Sequence, residues 1–352
     1  FQSHLRNLYL LIQINGTQHN LFGLMNTKIL FLTAYDINKN GGVQNQIKLL
    51  SDKLTTLNYE TEICSPNADK YNLGKSINIP FNKSIAPISL FPNRKVLKSA
   101  IEWADIIHIH EPFIPLFFWR YSSNKKTIVT HHASLNKIYL LLQEVLFLFT
   151  SQKIISTAVS KKALNNAYTL SKKSLIINNG IKINPQATFS HSYELLFIGR
   201  RERRKNIKLF EKLSNNKMIN GLYNYTAITN KAGKSKNIKY ILNPNEKEKI
   251  EILNRTAYFL ALNKSNESFG ITLIEAINNG NLLISSNIEC FKEVMGDTAL
   301  YFKNNDIDSL ERVINYCSEN NLRDQWVKQY QHIKKYDIDK LINKWVSVYT
   351  HY

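Results

Sequence analysis

Runs of consecutive apolar residues, rather than alternating ones, mark the strands of this chain. The first is Ile29-Leu30-Phe31-Leu32, and a segment apolar on successive residues suits a parallel strand covered on both faces. A polar loop with Gly41-Gly42 follows, after which Val43, Ile47, Leu50 and Leu54 recur at helical spacing. Strand, glycine loop and helix in that order open a doubly wound unit. The alternation continues with a helix around Val96 to Trp103 and strands at Ile106 to Ile109 and Ile128 to Thr130. A helix from about Leu135 comes next, then a strand from Ile154 to Val159, with Ser160 placed to cap the next helix and Leu175 to Ile177 as the closing strand. Such alternation predicts a parallel sheet with helices on both faces.

Ile181 to Tyr193 is polar, contains Pro185 and has no period, so it reads as a linker. The pattern then restarts. Strands are predicted at Glu194 to Ile198, Tyr225 to Ile228, Ile238 to Leu242, Tyr258 to Leu262 and Leu282 to Ser285. Helices are predicted from about Asn206, from Asn243-Pro244 with the proline at the first helical position, and from Ile271 to Asn279 with Gly280 as the stop. The expected organisation is two Rossmann-like domains, 25–185 and 186–335, with 336–352 as a C-terminal helix packing back on the first. Residues 1–24 precede the first convincing strand and carry no periodic face, so they are expected to be a non-structural extension, with translation starting at Met25. Ligands of such sheets bind beyond the carboxyl ends of the strands, and two facing domains would enclose a cleft there.

Composition narrows the chemistry. The 352 residues suffice for two cores. Cys64, Cys290 and Cys317 lack paired or metal-type spacing, which points to a reducing compartment and to the cytoplasm. The formal net charge of +19 suits nucleic acid, or an anionic membrane surface and phosphorylated substrates. Lysines are spread along the whole chain among many asparagines, without any helix-turn-helix, zinc-finger or RNA-recognition signature, so nucleic acid is not an expected partner. No apolar run reaches the roughly 20 residues that span a bilayer. The apolar stretch Ile138 to Phe149, interrupted by Gln143 and Glu144, reads as a core helix.

The most informative segment is Glu267-Ser268-Phe269-Gly270-Ile271-Thr272-Leu273-Ile274-Glu275. It leaves a strand and enters a helix, whose first backbone N–H groups can hold an anion. Two turns on, Glu275 stands where a carboxylate can bond a ribose diol. Taken alone, the pair is explained equally well by Glu267 complementing the helix dipole and Glu275 being solvated. With Ala276 and Gly280 after it, and Phe291-Lys292-Glu293-Val294 and Gly296 to Phe302 downstream, the segment resembles the E-x7-E signature of glycosyltransferase family 4. Members of that family have the GT-B fold, an α/β architecture of two Rossmann-like domains with an interdomain cleft, and retain anomeric configuration. The resemblance extends from Lys28 over nearly the whole chain. Its pattern is similar to that of phosphatidylinositol mannosyltransferases and of lipopolysaccharide and polysaccharide glycosyltransferases.

Other motifs fit the same resemblance. Gly41-Gly42 resembles the family's first-loop pair, whose backbone lets phosphate approach closely. His108-Ile109-His110-Glu111-Pro112 looks like its strand-end segment, and Thr130-His131-His132 like its T-x-H segment, which places His132 near the donor sugar. Gly199-Arg200 with Arg204-Lys205-Asn206 resembles the G-R…R-K-G segment, in which Arg200 and Lys205 would clamp the donor pyrophosphate. Fixed cations there stabilise the charge that grows on the leaving group. Alternation puts His108 and His110 on one strand face, which invites a metal. No third ligand stands at a fitting spacing and no strand-end loop holds an Asp-x-Asp motif, so no metal and no cofactor is expected. Three departures from the family pattern stand out: Asn206 for the usual glycine, a turn at Asn230 to Lys234 with only Gly233, on a connection too short for a helix, and Ala261-Leu262-Asn263 for the common Pro-Ser.

The resemblance implies retaining transfer from a UDP- or GDP-sugar to a lipid-linked or polysaccharide acceptor in cell-envelope glycan synthesis. The protein would sit peripherally at the inner face of the cell membrane. His132, Arg200, Lys205 and Glu267 are the expected catalytic residues. Gly41, Gly42, Arg200, Lys205, Glu267, Phe269, Gly270, Ile271, Thr272 and Glu275 are the expected donor-binding set. Expected partners are the nucleotide-sugar donor, a glycan or lipid-linked acceptor and an anionic membrane surface. A sugar-nucleotide 2-epimerase and a non-catalytic GT-B subunit share the architecture. The first needs acid–base carboxylates in the cleft and no acceptor; the second sits poorly with the presence of Arg200, Lys205, Glu267 and Glu275 together.

Overall fold

A computed structural model describes residues 26–81, 84–112, 123–133, 154–167, 174–216, 219, 221–265 and 267–351. The expected extension at 1–24, the apolar stretch 138–149 and the helix from Leu135 lie outside the described residues.

The unbroken apolar run from Ile29 forms β1 (Lys28–Leu32), in which Ile29 to Leu32 are wholly buried. Helix α1 (Gly42–Thr55) turns Ile47, Leu50 and Leu54 inward. Then come β2 (Glu60–Ser65), the short β3 (Tyr71–Asn72), the antiparallel hairpin β4 (Ile77–Phe81) and β5 (Ser84–Ile88), and α2 (Arg94–Trp103), capped by the Asn93 side chain. Strands β6 (Ile106–His110), β7 (Lys126–His131) and β8 (Ile154–Ala158), helix α3 (Lys161–Ala167) and β9 (Ser174–Ile176) complete this part. Ser160 caps α3 as expected, its Oγ accepting from the Ala163 N–H at 3.2 Å. Seven parallel strands stand in the order β3-β2-β1-β6-β7-β8-β9. The apolar-run criterion missed β2. β3 pairs only with Cys64 and Ser65, so the Glu60-Thr61-Glu62 half of β2 is a sheet edge, where charge is tolerated and opposes aggregation.

The second sheet is built from β10 (Glu194–Ile198), β11 (Asn224–Thr229), β12 (Ile238–Leu242), β13 (Tyr258–Ala261), β14 (Leu282–Ser286) and β15 (Leu300–Phe302). Its helices are α4 (Ile207–Ser214), α5 (Glu246–Arg255), α6 (Ile271–Asn278), α7 (Glu289–Met295), α8 (Ile307–Glu319) and α9 (Arg323–Ile333), and α10 (Ile338–His351) ends the chain. The order is β12-β11-β10-β13-β14-β15, again parallel. The expected start of a helix on Pro244 is corrected. Asn245 is the N-cap, closed by a capping box with Glu248, and Pro244 stands before it. The reciprocal side-chain bonds satisfy two helix-start donors, which a proline at N1 does not do. Gly280 stops α6 at φ 93°, a left-handed conformation that favours glycine.

A Cβ at Gly280 would strike the backbone carbonyl oxygen of Thr188, an atom that moves only with its whole segment. Gly280→Ala is therefore expected to destabilise the protein by roughly 2–4 kcal/mol, from left-handed strain and overpacking together. Thermal melting checks this, and an unchanged Tm contradicts it.

The chain crosses between the two sheets at Ile181 and returns at Tyr336. Ile181 donates to Tyr336 at 2.9 Å and accepts from Ile338 at 2.8 Å. Helix α10 then lies on the first sheet, where Ile342, Trp345, Val348 and Tyr349 share a core with Ile47, Leu50 and Leu54 of α1. In both sheets the strand order reverses, between β1 and β6 and between β10 and β13. Such switch points are where open α/β sheets hold their ligands.

Candidate active site

At the second switch point, the loop after β10 and the loop after β13 meet. Glu267 is at the centre. Its Oε2 accepts from Lys205 Nζ at 2.6 Å, from Asn263 Nδ2 at 2.5 Å and from Arg204 Nη1 at 3.3 Å. Burial by itself would raise its carboxyl, but Lys205 and then Arg204 reverse that and hold it below the usual carboxylate range. Lys162, at the start of α3 on the first sheet, donates from Nζ to the Glu267 carbonyl at 3.1 Å. Beside this cluster α6 begins at Gly270, which has φ 82° and ψ 53°. In its first turn the Leu273 N–H bonds the Gly270 carbonyl at 3.0 Å, while those of Ile271 and Thr272 have no intrahelical acceptor.

The loop after β10 is shaped by its own backbone. Asn206 stands at φ 62°, the left-handed region. Glycine is the default residue there and asparagine is the commonest substitute, so the departure at 206 keeps the turn. The Ala261-Leu262-Asn263 departure has a consequence too. Asn263 is buried and braces Glu267 from below, while its carbonyl accepts from Ser286 Oγ at 2.7 Å. Arg200 is more exposed than Lys205, with Glu202 3.9 Å away. Glu275 is largely enclosed, and its Oε2 lies 3.2 Å from Lys249 Nζ, which also pairs with Glu246. Phe269 is buried against Tyr336, edge to face.

At the first switch point, β6 and β7 end in a cluster of histidines. His108 is structural: its Nδ1 lies 2.7 Å from the Tyr349 hydroxyl of α10 and its Nε2 2.7 Å from Thr130 Oγ1. His110 Nδ1 is 2.9 Å from His132 Nε2. One ring nitrogen must donate and the other accept, so the accepting imidazole is neutral when the bond forms. Burial lowers both, His132 to about 3 and His110 well below its usual value. Among the described residues no three His, Cys, Asp or Glu side chains converge as a metal site. The glycine loop of α1 faces the second domain. A Cβ on Gly42 would lie 3.7 Å from Ile271 Cγ2, and Asn40 Nδ2 donates to the Pro244 carbonyl at 3.3 Å. Gly41 is extended at φ −173°, which any residue adopts.

Residues 181–336 match the family model described as glycosyl transferases group 1. These residues are a group 1 glycosyltransferase domain. The match begins and ends at the paired crossing of Ile181 and Tyr336. Over 306 residues the transferase is 26% identical to the phosphatidyl-myo-inositol mannosyltransferase of Mycolicibacterium smegmatis, covering 77% of this chain and 78% of that protein. It is 25% identical over 303 residues to the protein of that name from Mycobacterium leprae, covering 77% and 81%. Among solved structures, a glycosyltransferase from Rickettsia africae superposes with a TM-score of 0.67 at 17% identity, covering 92% of this chain and 98% of that one. Anabaena HepE in complex with UDP-glucose superposes with 0.66 at 13% identity, covering 93% and 100%. At such identities these two likenesses speak for the GT-B fold alone.

The structure gathers Lys205, Glu267 and Gly270 at one point of the transferase and brings Gly42 opposite Ile271. Lys162 carries no signal in the sequence, and Asn263 and Glu111 stand in motifs that give them no role there. Asn263 and Lys162 act only through proximity to residues distant in sequence. Glu111 was within a quoted segment, but its burial is invisible in the sequence.

Proposed function

We propose that this transferase moves a sugar from a UDP- or GDP-sugar, with retention and without a metal, to a lipid-linked or polysaccharide acceptor of cell-envelope glycan synthesis. The observation that carries the reading is the convergence of Lys205, Arg204 and Asn263 on Glu267 beside the open end of α6. A donor pyrophosphate seated there would meet the helix N–H groups at Ile271 and Thr272, Lys205 and Arg200. Glu267 would then take the sugar hydroxyls, with Phe269 and Gly270 beside it, and Glu275 the ribose. Gly41 and Gly42 would close over the phosphates, and His132 would orient the sugar from the first domain. Fixed cations lower the barrier because they meet the charge that grows as the glycosidic bond breaks. The donor would be held mainly by 186–335, and the acceptor would enter from 25–185.

The name shared by the relatives favours a lipid acceptor. No helix among the described residues is long and apolar enough to cross a membrane. The formal charge of +19 supports peripheral attachment at the inner face, since each basic residue near an anionic surface contributes about 1 kcal/mol.

A thermal-shift series with UDP-glucose, GDP-mannose and ADP-glucose tests the donor, because a ligand bound to the native state raises Tm. One of the three is expected to raise Tm and to release its nucleoside diphosphate in the presence of EDTA. No shift with any of them, strict dependence on Mn²⁺ or Mg²⁺, or epimer formation in place of diphosphate release overturns the proposal.

A further inference from the structure

Glu111 carries three costs at once. Its backbone is left-handed at φ 55° although it bears a Cβ. Its side chain is 2% exposed. Its Oε1 is buried with no hydrogen-bond partner among the described residues. Each of these is unfavourable on its own, and strain or unsatisfied polar atoms persist where the surroundings hold them for a use. Burial pushes its carboxyl up to about 7, against the lowering effect of two backbone donors. A group that titrates so far above the ordinary range weakens the fold wherever it is ionised. Packing therefore does not account for it.

What Glu111 does hold is the turn after β7. Its Oε2 accepts from the backbone N–H of His132 at 3.0 Å and of Ala133 at 2.7 Å. The neighbouring residue of the same strand, His110, holds the His132 ring at 2.9 Å. Backbone and ring of His132 are thus fixed from one strand end, the first by a carboxylate and the second by an imidazole. Tyr35, from the loop after β1, is a further titratable group that the Glu111 charge reaches, and Arg200 acts on the same phenol from the second domain.

We propose that Glu111 is a positioning residue for sugar transfer: its carboxylate, through two backbone N–H groups, sets the place from which His132 meets the donor. The proposal rests on the role given to His132 above. The carboxylate form grips both N–H groups more strongly than the neutral acid, because charge-assisted hydrogen bonds are the stronger ones. Turnover should therefore be full above about pH 7 and fall as pH drops through that value, where Glu111 takes up its proton.

The experiment compares wild type, Glu111→Gln, Glu111→Ala, His132→Ala and the Glu111→Ala/His132→Ala double variant, by nucleoside diphosphate release from UDP-glucose and GDP-mannose. Glu111→Ala is expected to lower kcat by about 10–100-fold with donor KM nearly unchanged, and to add less than twofold to His132→Ala, as residues acting as one unit do. Glu111→Gln keeps the shape and removes the charge. It should lose the acid limb near pH 7 and show a higher Tm than wild type at pH 8, together with a lower kcat. A wild-type kcat in His132→Ala removes the His132 role and this proposal with it. A large loss in His132→Ala combined with a fully additive or wild-type Glu111→Ala removes the proposal alone. So does a Glu111→Gln protein that is both less stable and less active, since that marks a residue of the fold.

Discussion

Replacing Lys205 by alanine is expected to lower turnover by about 10²–10³, the loss that follows removal of one transition-state donor. Two effects add in the same direction. The cation nearest to the Glu267 carboxylate is lost, and with it a charge that would face the departing pyrophosphate. Glu267 also loses its chief restraint, keeping only Arg204 at 3.3 Å and Asn263 at 2.5 Å. The pH profile carries a separate signature. Burial drives the Glu267 carboxyl up and Lys205 is the largest influence bringing it down. Without Lys205 its proton is held to higher pH, so the acid side of the rate profile moves upward. Stability should change little, because Arg204 still faces the carboxylate. Steady-state kinetics from pH 5 to 8 and a thermal melt decide the matter. Near-wild-type turnover with an unmoved acid limb would falsify the assignment of Lys205 to the donor site.

The second large effect is expected from Gly270→Ala. The residue sits at φ 82°, and an added Cβ would lie 2.7 Å from Cε1 of Phe291, a wholly buried ring of α7. Left-handed strain costs about 1–2 kcal/mol and overpacking of a dense core roughly 1–3, so a loss of several degrees in Tm follows. The same change moves the start of α6, where the donor phosphates would rest. A displacement of about 1 Å at a reacting site costs on the order of 10²-fold. The contrast with Gly41 is informative. Gly41 is extended, and a Cβ there meets only the flexible Gln44 side chain, so Gly41→Ala should be mild. Equal behaviour of the two alanine variants would show that the conformation at Gly270 is not what the site depends on.

The strands that were easy to read share one property. β6, β13 and β14 are buried along their whole length and β1 from Ile29 to Leu32, and burial on both faces favours apolar residues on successive positions. β2 was missed because half of it lies at an edge, and the hairpin β4–β5 because it stands outside both sheets. The start of α5 was placed on Pro244 because proline is a strong local signal. Asn245 and Glu248 form a pair three residues apart that outcompetes it.

By itself the sequence determined the alternation of strands and helices, the two parallel sheets and the positions of Gly270, Lys205 and Glu267 at strand ends. Each of these follows from local periodicity or from a short motif, and local chemistry survives in one dimension. The tertiary structure decided what those residues do to one another. Glu267 is an ion-paired carboxylate because β10 and β13, some 60 residues apart in sequence, are neighbours in the sheet. His108 is a structural residue because α10 returns across 241 positions to bond it, while His110, two residues on, turns to His132. The Glu111 carboxyl is costly because burial removes water from one oxygen while two distant N–H groups hold the other. Such contacts depend on which strands become adjacent, and adjacency is a property of the folded sheet rather than of any segment of the chain.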